Sequence, residues 1–277
     1  MAAHTALGYL LAVGVSDAAR GQSIGPALAG IALWVVCLNG GTLALNSAFD
    51  RDEGDIGYLK SPPPVPAHLA AFAFVLLAAG LALATRLPRG FLAAYAICLV
   101  LSLLYSVPPL RLKAVAGADW LINMWGFGTL TPYAGFAVTG VTPEPFQRMV
   151  LFAFCPLFAA LYPLTQIYQF EEDRQRGDRT LALILGIRRS LLIAVAAASF
   201  AYGVFFAAGL RAGWRMHGTD LVRWAGLVFS LLVWARVLVP WLLSCETMTD
   251  AEHQRGMYRG LAAWAVTDIV VILAWAT

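Results

Sequence analysis

Residues 45–66 read LNSAFDRDEGDIGYLKSPPPVP and place four carboxylates within six positions. These carboxylates are Asp50, Asp52, Glu53 and Asp55. Asn46 lies one helical turn before the first of them, at the end of a strongly apolar run that begins near residue 24. Carboxylates at the mouth of a membrane segment are typical of a hard cation site, because Mg²⁺ prefers oxygen ligands. The stretch therefore predicts a magnesium site at a helix end.

A second acidic stretch, residues 162–180 (YPLTQIYQFEEDRQRGDRT), also lies where an apolar run ends. Its acidic residues are Glu171, Glu172, Asp173 and Asp178. Together the two stretches hold eight of the sixteen acidic residues in the chain. This concentration is the strongest functional signal in the sequence.

The composition is that of a membrane protein. Hydrophobic residues make up 60% of the 277 positions and charged residues only 13%, whereas about 25% charged is typical of soluble domains. Mean hydropathy is +0.72. No basic tract suits a nucleic acid, so we predict no nucleic-acid partner. The net charge of +3 fits orientation signals in loops.

Nine apolar segments separated by short connections predict one integral domain over residues 1–277. Their approximate bounds are 3–16, 24–46, 67–86, 90–107, 118–139, 147–170, 189–210, 221–243 and 260–276. Irregular backbone cannot face lipid, so the segments should be helices. We predict an all-α, polytopic membrane protein with nine transmembrane helices.

The distribution of lysine and arginine predicts the orientation of these helices. The connections after segments 2, 4, 6 and 8 carry more of these residues than those on the other side. By the positive-inside rule, both acidic stretches face the cytoplasm of a multi-pass cell-membrane protein. The stretches end segments 2 and 6, which indicates an internal duplication whose two acidic helix ends converge on one cavity.

Helical spacing groups the polar residues of the first stretch. Asn46 and Asp50 are four positions apart and project from one face if the helix continues. Asp52 and Asp55 are three apart and are expected to form a second ligand pair, and Gly54 and Gly57 then break the helix. The alternative is a solvated acidic loop without a ligand.

In the second stretch, polar residues recur on one face of a predicted helix. They are Tyr162, Gln166, Gln169 and Asp173. Polar groups in a membrane helix usually face a cavity or the bundle interior. The alternative is that the two glutamines only form hydrogen bonds between helices.

A third feature, YSVPPLRLK at residues 105–113, follows segment 4 on the same predicted side. Arg111 and Lys113 are placed to meet a diphosphate, and Tyr105 is a hydrogen-bond donor. The alternative for either base is membrane anchoring. Asp119 and Asn123, four positions apart, are expected to line the same cavity.

These three features together resemble the UbiA superfamily of intramembrane prenyltransferases, over nearly the whole chain. YSVPPLRLK is most similar to the corresponding loop of chlorophyll synthases and carotenoid elongases. NSAFD and the acids after it resemble the family pattern N-D-x-x-D-x-x-x-D, and QIYQFEEDRQRGDRT resembles D-x-x-D-x-E-G-D-x-x-x-G-x-x-T. Four positions depart from aspartate in these patterns: Ser47, Gly54, Gln166 and Gln169.

The resemblance implies a UbiA-like bundle and Mg²⁺-dependent transfer of an isoprenyl group from an allylic isoprenyl diphosphate to a hydrophobic acceptor. The metal ligands it implies are Asp50, Asp52, Asp55, Glu171, Glu172 and Asp173. The substrate-binding residues are Asn46, Lys60, Arg111, Asp119, Asn123, Gln166 and Gln169. The catalytic residues are Asp50, Asp173, Lys113 and Tyr105.

Two other functions stay open. A terpene cyclase of the same fold would ionise the same donor and let its own double bonds capture the cation. A transporter would use the acidic clusters as a cation site, although only Asp268 is acidic near a segment midpoint. Arg236 and Asp268 lie at similar depth in consecutive antiparallel segments, so we predict that they form an ion pair.

Overall fold

The computed structural model describes residues 1–50 and 64–277, except for the side chains of Glu172 and Arg176. The predictions for Asp52, Asp55 and Lys60 lie outside the described residues, as does the prediction for the side chain of Glu172.

The described chain is all-helical, and each predicted apolar segment contains helix. We label these helices α1 (Ala2–Val13), α2 (Ile24–Asp50), α3 (Leu69–Ala84), α4 (Arg89–Ser106), α5 (118–137), α6 (Pro145–Gln169), α7 (Ile187–Arg211), α8 (Thr219–Ser244) and α9 (Asp250–Trp275). Within the described ranges, α2, α4 and α6 to α9 are the six helices long and apolar enough to cross a membrane. The number of nine crossings stays a prediction, because α1 and α3 are shorter and α5 is divided.

Helix α6 is the central helix of the bundle. Of its most apolar 18-residue window 83% is buried, against 28–44% for the other five long helices. Pro163 has no N–H, so the carbonyl of Ala159 is left without its helical donor. The Trp120 indole N–H donates to that carbonyl at 2.9 Å and joins α5 to α6.

Two buried apolar clusters divide the interior. One contains side chains such as Phe154 of α6, Phe205 of α7 and Trp234 of α8. The other contains Trp34 of α2 and Tyr95 of α4. Helices that place one apolar face inward and the other toward lipid account for both clusters and for the exposed leucines and valines outside them.

Helices α1 and α5 approach so closely that only glycine fits. A Cβ on Gly8 would lie 1.7 Å from the carbonyl oxygen of Pro132, and one on Gly135 would lie 1.7 Å from that of Thr5. Small residues permit such backbone contacts between membrane helices.

This packing places His4 inside the bundle, where it corrects one sequence prediction. Its Nδ1 lies 2.9 Å from Asp268 Oδ1, and both side chains are buried. The predicted Arg236–Asp268 ion pair is therefore wrong. Asp268 faces α1, whereas the exposed Arg236 lies on the outer face of α8. Spacing predicted the depth of these charges but not the direction in which each projects.

Two wide-turn π-helical segments interrupt the long helices, at Leu33–Gly40 in α2 and Met124–Leu130 in α5. Such segments are rare in proteins, and those that occur often lie at functional sites. Residues of both line one cavity, described below.

Candidate active site

The loop after α4 lies directly against the second acidic stretch. The backbone N–H of Arg179 donates to the carbonyl of Ala114 at 3.1 Å, and Val115 pairs with Arg179 in a short parallel bridge. Arg111 has a left-handed backbone conformation, with φ of 35°. A non-glycine residue in that region costs roughly 1–2 kcal/mol. The surrounding contacts maintain it, and it directs the side chain between the two acidic stretches.

Arg111 joins the two stretches through its guanidinium. Nη1 donates to Asp178 Oδ1, and Nη2 donates to Asp178 Oδ2 at 3.2 Å. Nη2 also lies 3.4 Å from Asp50 Oδ1. Lys113 Nζ donates to the other carboxylate oxygen of Asp50. The ends of α2 and of the second stretch therefore converge on one group of two cations and two carboxylates.

For each of the two cations, burial lowers the side-chain pKa and pairing with a carboxylate raises it. Burial lowers the pKa of the Lys113 ammonium, and the carboxylate of Asp50 only partly offsets this. For Arg111, burial also disfavours the charge, but the bonds with Asp178 and Asp50 outweigh it and raise the guanidinium pKa. Lys113 is thus the cation whose charge is more easily lost as pH rises.

Two further polar contacts flank this group on the bundle side. Ser106 Oγ donates to Asn46 Oδ1, which joins α4 to α2. The Tyr105 and Tyr162 hydroxyls lie 3.0 Å apart and join α4 to α6. Polar side chains from three helices therefore meet just below the ion pairs.

Asp119 organises the start of α5. Its Oδ1 accepts from the backbone N–H of Gly117 at 2.8 Å. Its Oδ2 accepts from Gln166 Nε2 at 3.3 Å and from the backbone N–H of Leu181 at 3.2 Å. Asn123 donates to the carbonyl of Asp119 at 2.8 Å. The fully buried Asp119 ties α5 to both ends of the second acidic stretch.

The predicted stripe along the second stretch is interrupted, because the helix changes type within it, although Tyr162, Gln166 and Asp173 are all buried. Ile167–Gln169 form a tight 3₁₀ turn, and a new helix, Phe170–Arg176, follows. A 3₁₀ turn has three residues instead of 3.6 per turn and so changes the facing of later residues. Gln166 contacts the Tyr162 hydroxyl, whereas Gln169 is half-buried and forms no hydrogen bond within the described chain.

Two acids of the second stretch point in different directions. Asp173 is buried, and its Oδ2 lies 3.4 Å from Thr180 Oγ1. Glu171 lies on the outer surface with 71% of its side chain exposed and pairs with Arg174 at 3.5 Å. Residues two apart on a helix lie on nearly opposite faces. The structure therefore does not bring Glu171 to the ion pairs.

An apolar cavity of about 150 Å³ extends inward from Asn46, Tyr105 and Asn123. Trp34 and Phe127, one from each π-helical segment, line its deeper part. The Trp34 indole N–H donates to Thr131 Oγ1 at 3.3 Å, which fixes the ring in place. The ion pairs thus lie near the mouth of a largely apolar cavity.

The donor set at this mouth suits Mg²⁺. The oxygens of Asp50 and Asp178 already face one shared cation, the guanidinium of Arg111, and Asn46 adds an amide oxygen nearby. Hard oxygen ligands of this kind are those that Mg²⁺ takes in proteins. The described part of the chain nevertheless contains no group of three or more acidic, histidine or cysteine ligands.

Sequence reasoning missed Asp178 as a site residue. It follows Gly177, whose φ of 73° ends the short helix and turns the chain back toward the loop after α4. A glycine directly before an acid at a helix end was the available signal. Ser106 was also missed, although it directly follows Tyr105 at the end of an apolar segment.

Comparison with solved structures identifies the same fold. A UbiA homologue from Archaeoglobus fulgidus bound to GPP and Mg²⁺ matches with a TM-score of 0.68 and 18% identity, covering 95% of this chain and 94% of that one. A digeranylgeranylglyceryl phosphate synthase matches at 0.69 and 14%, covering 99% and 92%. An apo UbiA homologue from Aeropyrum pernix K1 matches at 0.62 and 20%, covering 96% of each chain.

No curated protein matches the sequence significantly. The family model of the UbiA prenyltransferases matches residues 4–244, which is most of the chain. The sequence match and the shared bundle lead to one conclusion: the chain belongs to the UbiA prenyltransferase family.

Proposed function

We propose that this protein transfers an isoprenyl group from an allylic isoprenyl diphosphate to a hydrophobic acceptor inside the membrane. The observation that carries the proposal is the convergence of Asp50, Asp178, Arg111 and Lys113 at the mouth of an apolar cavity. A diphosphate needs charge at one end of a site, and an isoprenyl chain needs an apolar cavity at the other. The related structures bound to DMAPP or GPP with Mg²⁺ support the choice of donor.

The diphosphate of the donor would bind to the two cations that now pair with carboxylates. Mg²⁺ would be held by Asp50, Asp173 and Asp178, together with Asp52 and Asp55. Bound Mg²⁺ neutralises the charge of a diphosphate and so favours its departure. Arg111 and Lys113 would turn from their carboxylate partners toward phosphate oxygens, where their charge stabilises the leaving diphosphate.

The reaction breaks the allylic C–O bond, and the electron pair leaves with the diphosphate. A nucleophilic carbon or oxygen of the acceptor then bonds to the allylic carbon and loses a proton. The hydroxyls of Tyr105 and Tyr162 lie 3.0 Å apart, and Tyr105 lines the cavity in which the reacting carbon would lie. The cavity excludes water, which would otherwise capture the cation.

The cavity supports an acceptor with a largely apolar body. Its described lining carries no charged side chain and includes the polar residues Asn39, Thr42 and Ser102. The Asn39 side chain forms no hydrogen bond within the described chain, so its amide group is free to bind a hydroxyl or carbonyl of the acceptor. Quinol, tetrapyrrole, carotenoid and lipid acceptors all stay open.

The membrane arrangement completes the proposal. We place the whole chain in one integral domain with nine crossings, and the site end of the bundle in the cytoplasm. The excess of lysine and arginine in the connections at that end supports this orientation.

The test uses the purified full chain in nanodiscs with radiolabelled geranylgeranyl diphosphate and MgCl₂. A menaquinol, lycopene, a chlorophyllide and a glycerol lipid serve as acceptor probes, and products are identified by mass spectrometry. We expect an adduct with one probe class and loss of turnover in EDTA.

Two outcomes would replace the proposal. Cyclic hydrocarbon formed from the donor without any acceptor would identify a terpene cyclase. A donor that neither binds nor reacts, together with Mg²⁺ flux across liposomes, would identify a transporter.

A further inference from the structure

The membrane-facing side of α8 and α9 carries an open groove of about 800 Å³, remote from the candidate active site. Its lining is apolar except for two arginines, Arg236 of α8 and Arg259 of α9. Both side chains are exposed. Within residues 1–50 and 64–277, neither forms an ion pair or a hydrogen bond, whereas neighbouring Arg255 pairs with Glu252 and Arg188 with Glu246.

The backbone positions of the two arginines lie at similar depth in the membrane. Arg236 precedes the end of α8 at Ser244 by eight residues, and Arg259 follows the start of α9 at Asp250 by nine. At ~1.5 Å per residue, both Cα atoms lie roughly 12–14 Å from the helix ends on the side of the candidate active site. Helices of 26 residues span about 39 Å, which exceeds the ~30 Å hydrocarbon core. Both arginines therefore begin inside the hydrocarbon and reach toward its boundary.

The rest of the groove continues deeper into the membrane and suits an acyl chain. Phe229 and Leu232 lie one to two turns further from the site end of α8, and Ala262 and Val266 lie further along α9. The small side chain of Ala262 leaves the space between the two helices open. The groove thus has two positive charges at its upper end and aliphatic walls below them.

We propose that this groove binds one anionic phospholipid from the surrounding leaflet. A charged side chain inside a membrane is costly and normally has a partner. The described chain supplies none for Arg236 or Arg259, and a phosphodiester headgroup at the hydrocarbon boundary supplies one for both. Basic sites between membrane helices bind anionic headgroups by this chemistry. The lipid chain then fills the apolar part of the groove.

Native mass spectrometry of the full chain tests the proposal with two lipids of identical acyl chains, phosphatidylglycerol and phosphatidylcholine. We expect one phosphatidylglycerol to remain bound after gentle activation, and no retained phosphatidylcholine. The double variant R236Q/R259Q should weaken phosphatidylglycerol binding about thirtyfold. R189Q, which removes an exposed arginine from the same end of α7, is the matched control and should retain wild-type binding.

A second variant separates lipid binding from protein stability. Ala262→Trp fills the apolar part of the groove at an exposed position and keeps both arginines. It should also release phosphatidylglycerol, and thermal unfolding of each variant in detergent reports whether the fold is intact.

Three results would overturn the proposal. Equal phosphatidylglycerol binding in wild type and R236Q/R259Q would mean that the arginines only extend toward water. Displacement of the lipid by equimolar inorganic phosphate would identify a site for a soluble anion. A dimer that dissociates in either groove variant would identify a second copy of the chain as the occupant.

Discussion

On α2, Asp50 accepts hydrogen bonds from both Lys113 and Arg111, whereas Asp178 accepts from Arg111 through both of its carboxylate oxygens. The first acid lies on the regular helical turns Gly41–Asp50 of α2. The second lies in a turn after Gly177, beyond a 3₁₀ break and a short helix. Two stretches of similar composition therefore reach one cation from different backbone settings, and Arg111 is the residue on which their meeting depends.

The two acids are positioned by different parts of the structure. The position of Asp50 follows from the length and facing of α2. The position of Asp178 depends on the loop after α4, which pairs with residue 179 through its backbone. Changes at the first acid should therefore affect the charge of the site most directly, and changes at the second should affect its alignment.

The largest expected effect follows loss of the Asp50 charge. Asp50→Asn leaves Lys113 without its carboxylate and removes one proposed metal ligand, so kcat/KM for prenyl transfer should fall about 10²–10³-fold. Glu171→Gln is the matched control, because that acid is exposed, and its rate should stay within twofold. Equal losses in the two variants would contradict the assignment of the site.

A smaller loss should follow removal of the Arg111–Asp178 contact. We expect Arg111→Gln and Asp178→Asn each to lower kcat/KM about thirtyfold, since a bidentate charged contact holds the loop. The double variant should be little worse than either single one, because each already breaks the same contact. Strictly multiplicative losses would show that the two residues act independently.

The pH dependence distinguishes the two cations. The pKa of Lys113 is lowered in the folded protein, so activity that needs its charge should decline at a pH below the ordinary lysine value of about 10.4. Lys113→Arg should move this alkaline limit upward, because arginine stays charged. An unchanged pH profile would exclude Lys113 as the titrating group.

Stability should change with pH in the opposite direction. A lysine whose folded-state pKa is lowered binds its proton less tightly than in the unfolded chain. Its penalty is complete below the folded pKa and is relieved as pH rises toward the unfolded value. Thermal unfolding followed over this range should give a slope of that sign, which Lys113→Arg removes.

The smallest expected effects concern one hydroxyl beside each stretch. Ser106→Ala removes the donor to Asn46 and should raise KM about fivefold without a large change in stability, since a net hydrogen bond contributes about 1 kcal/mol. Thr180→Ala should lower the free energy of unfolding by about 1 kcal/mol, because Thr180 caps Leu181–Leu185. Kinetics and thermal unfolding of both variants would show whether the hydroxyl beside the first stretch affects KM and the hydroxyl beside the second affects stability.

Apolar segments predicted the helices well, because burial in lipid imposes a simple length and composition on them. They also predicted that the ends of α2 and of the second stretch would converge with the loop after α4. Residues 51–63 lie outside the described chain, so Asp52, Asp55 and Lys60 stay predictions.

Predictions that relied on a regular helical period did worse. The 3₁₀ turn at Ile167–Gln169 interrupted the expected stripe. Asp268 pairs with His4, which is distant in sequence, and not with Arg236, which lies on the preceding helix. Periodicity describes one helix at a time and carries no information about which helices become neighbours. Asp178 was missed for the same reason, since its role depends on a loop far away in the chain.

The π-helical segment Leu33–Gly40 has a consequence for insertions and deletions. Each of its turns contains more residues than an α-turn, so deleting one residue there would restore regular winding with little change of phase, whereas deleting one residue from the regular turns at residues 41–45 would rotate the rest of α2 by about 100°. Asn46 and Asp50 would then face away from Ser106 and Lys113, although neither had been mutated. A single-codon deletion in residues 41–45 should therefore inactivate the site as fully as loss of Asp50, whereas one within Leu33–Gly40 should be tolerated better.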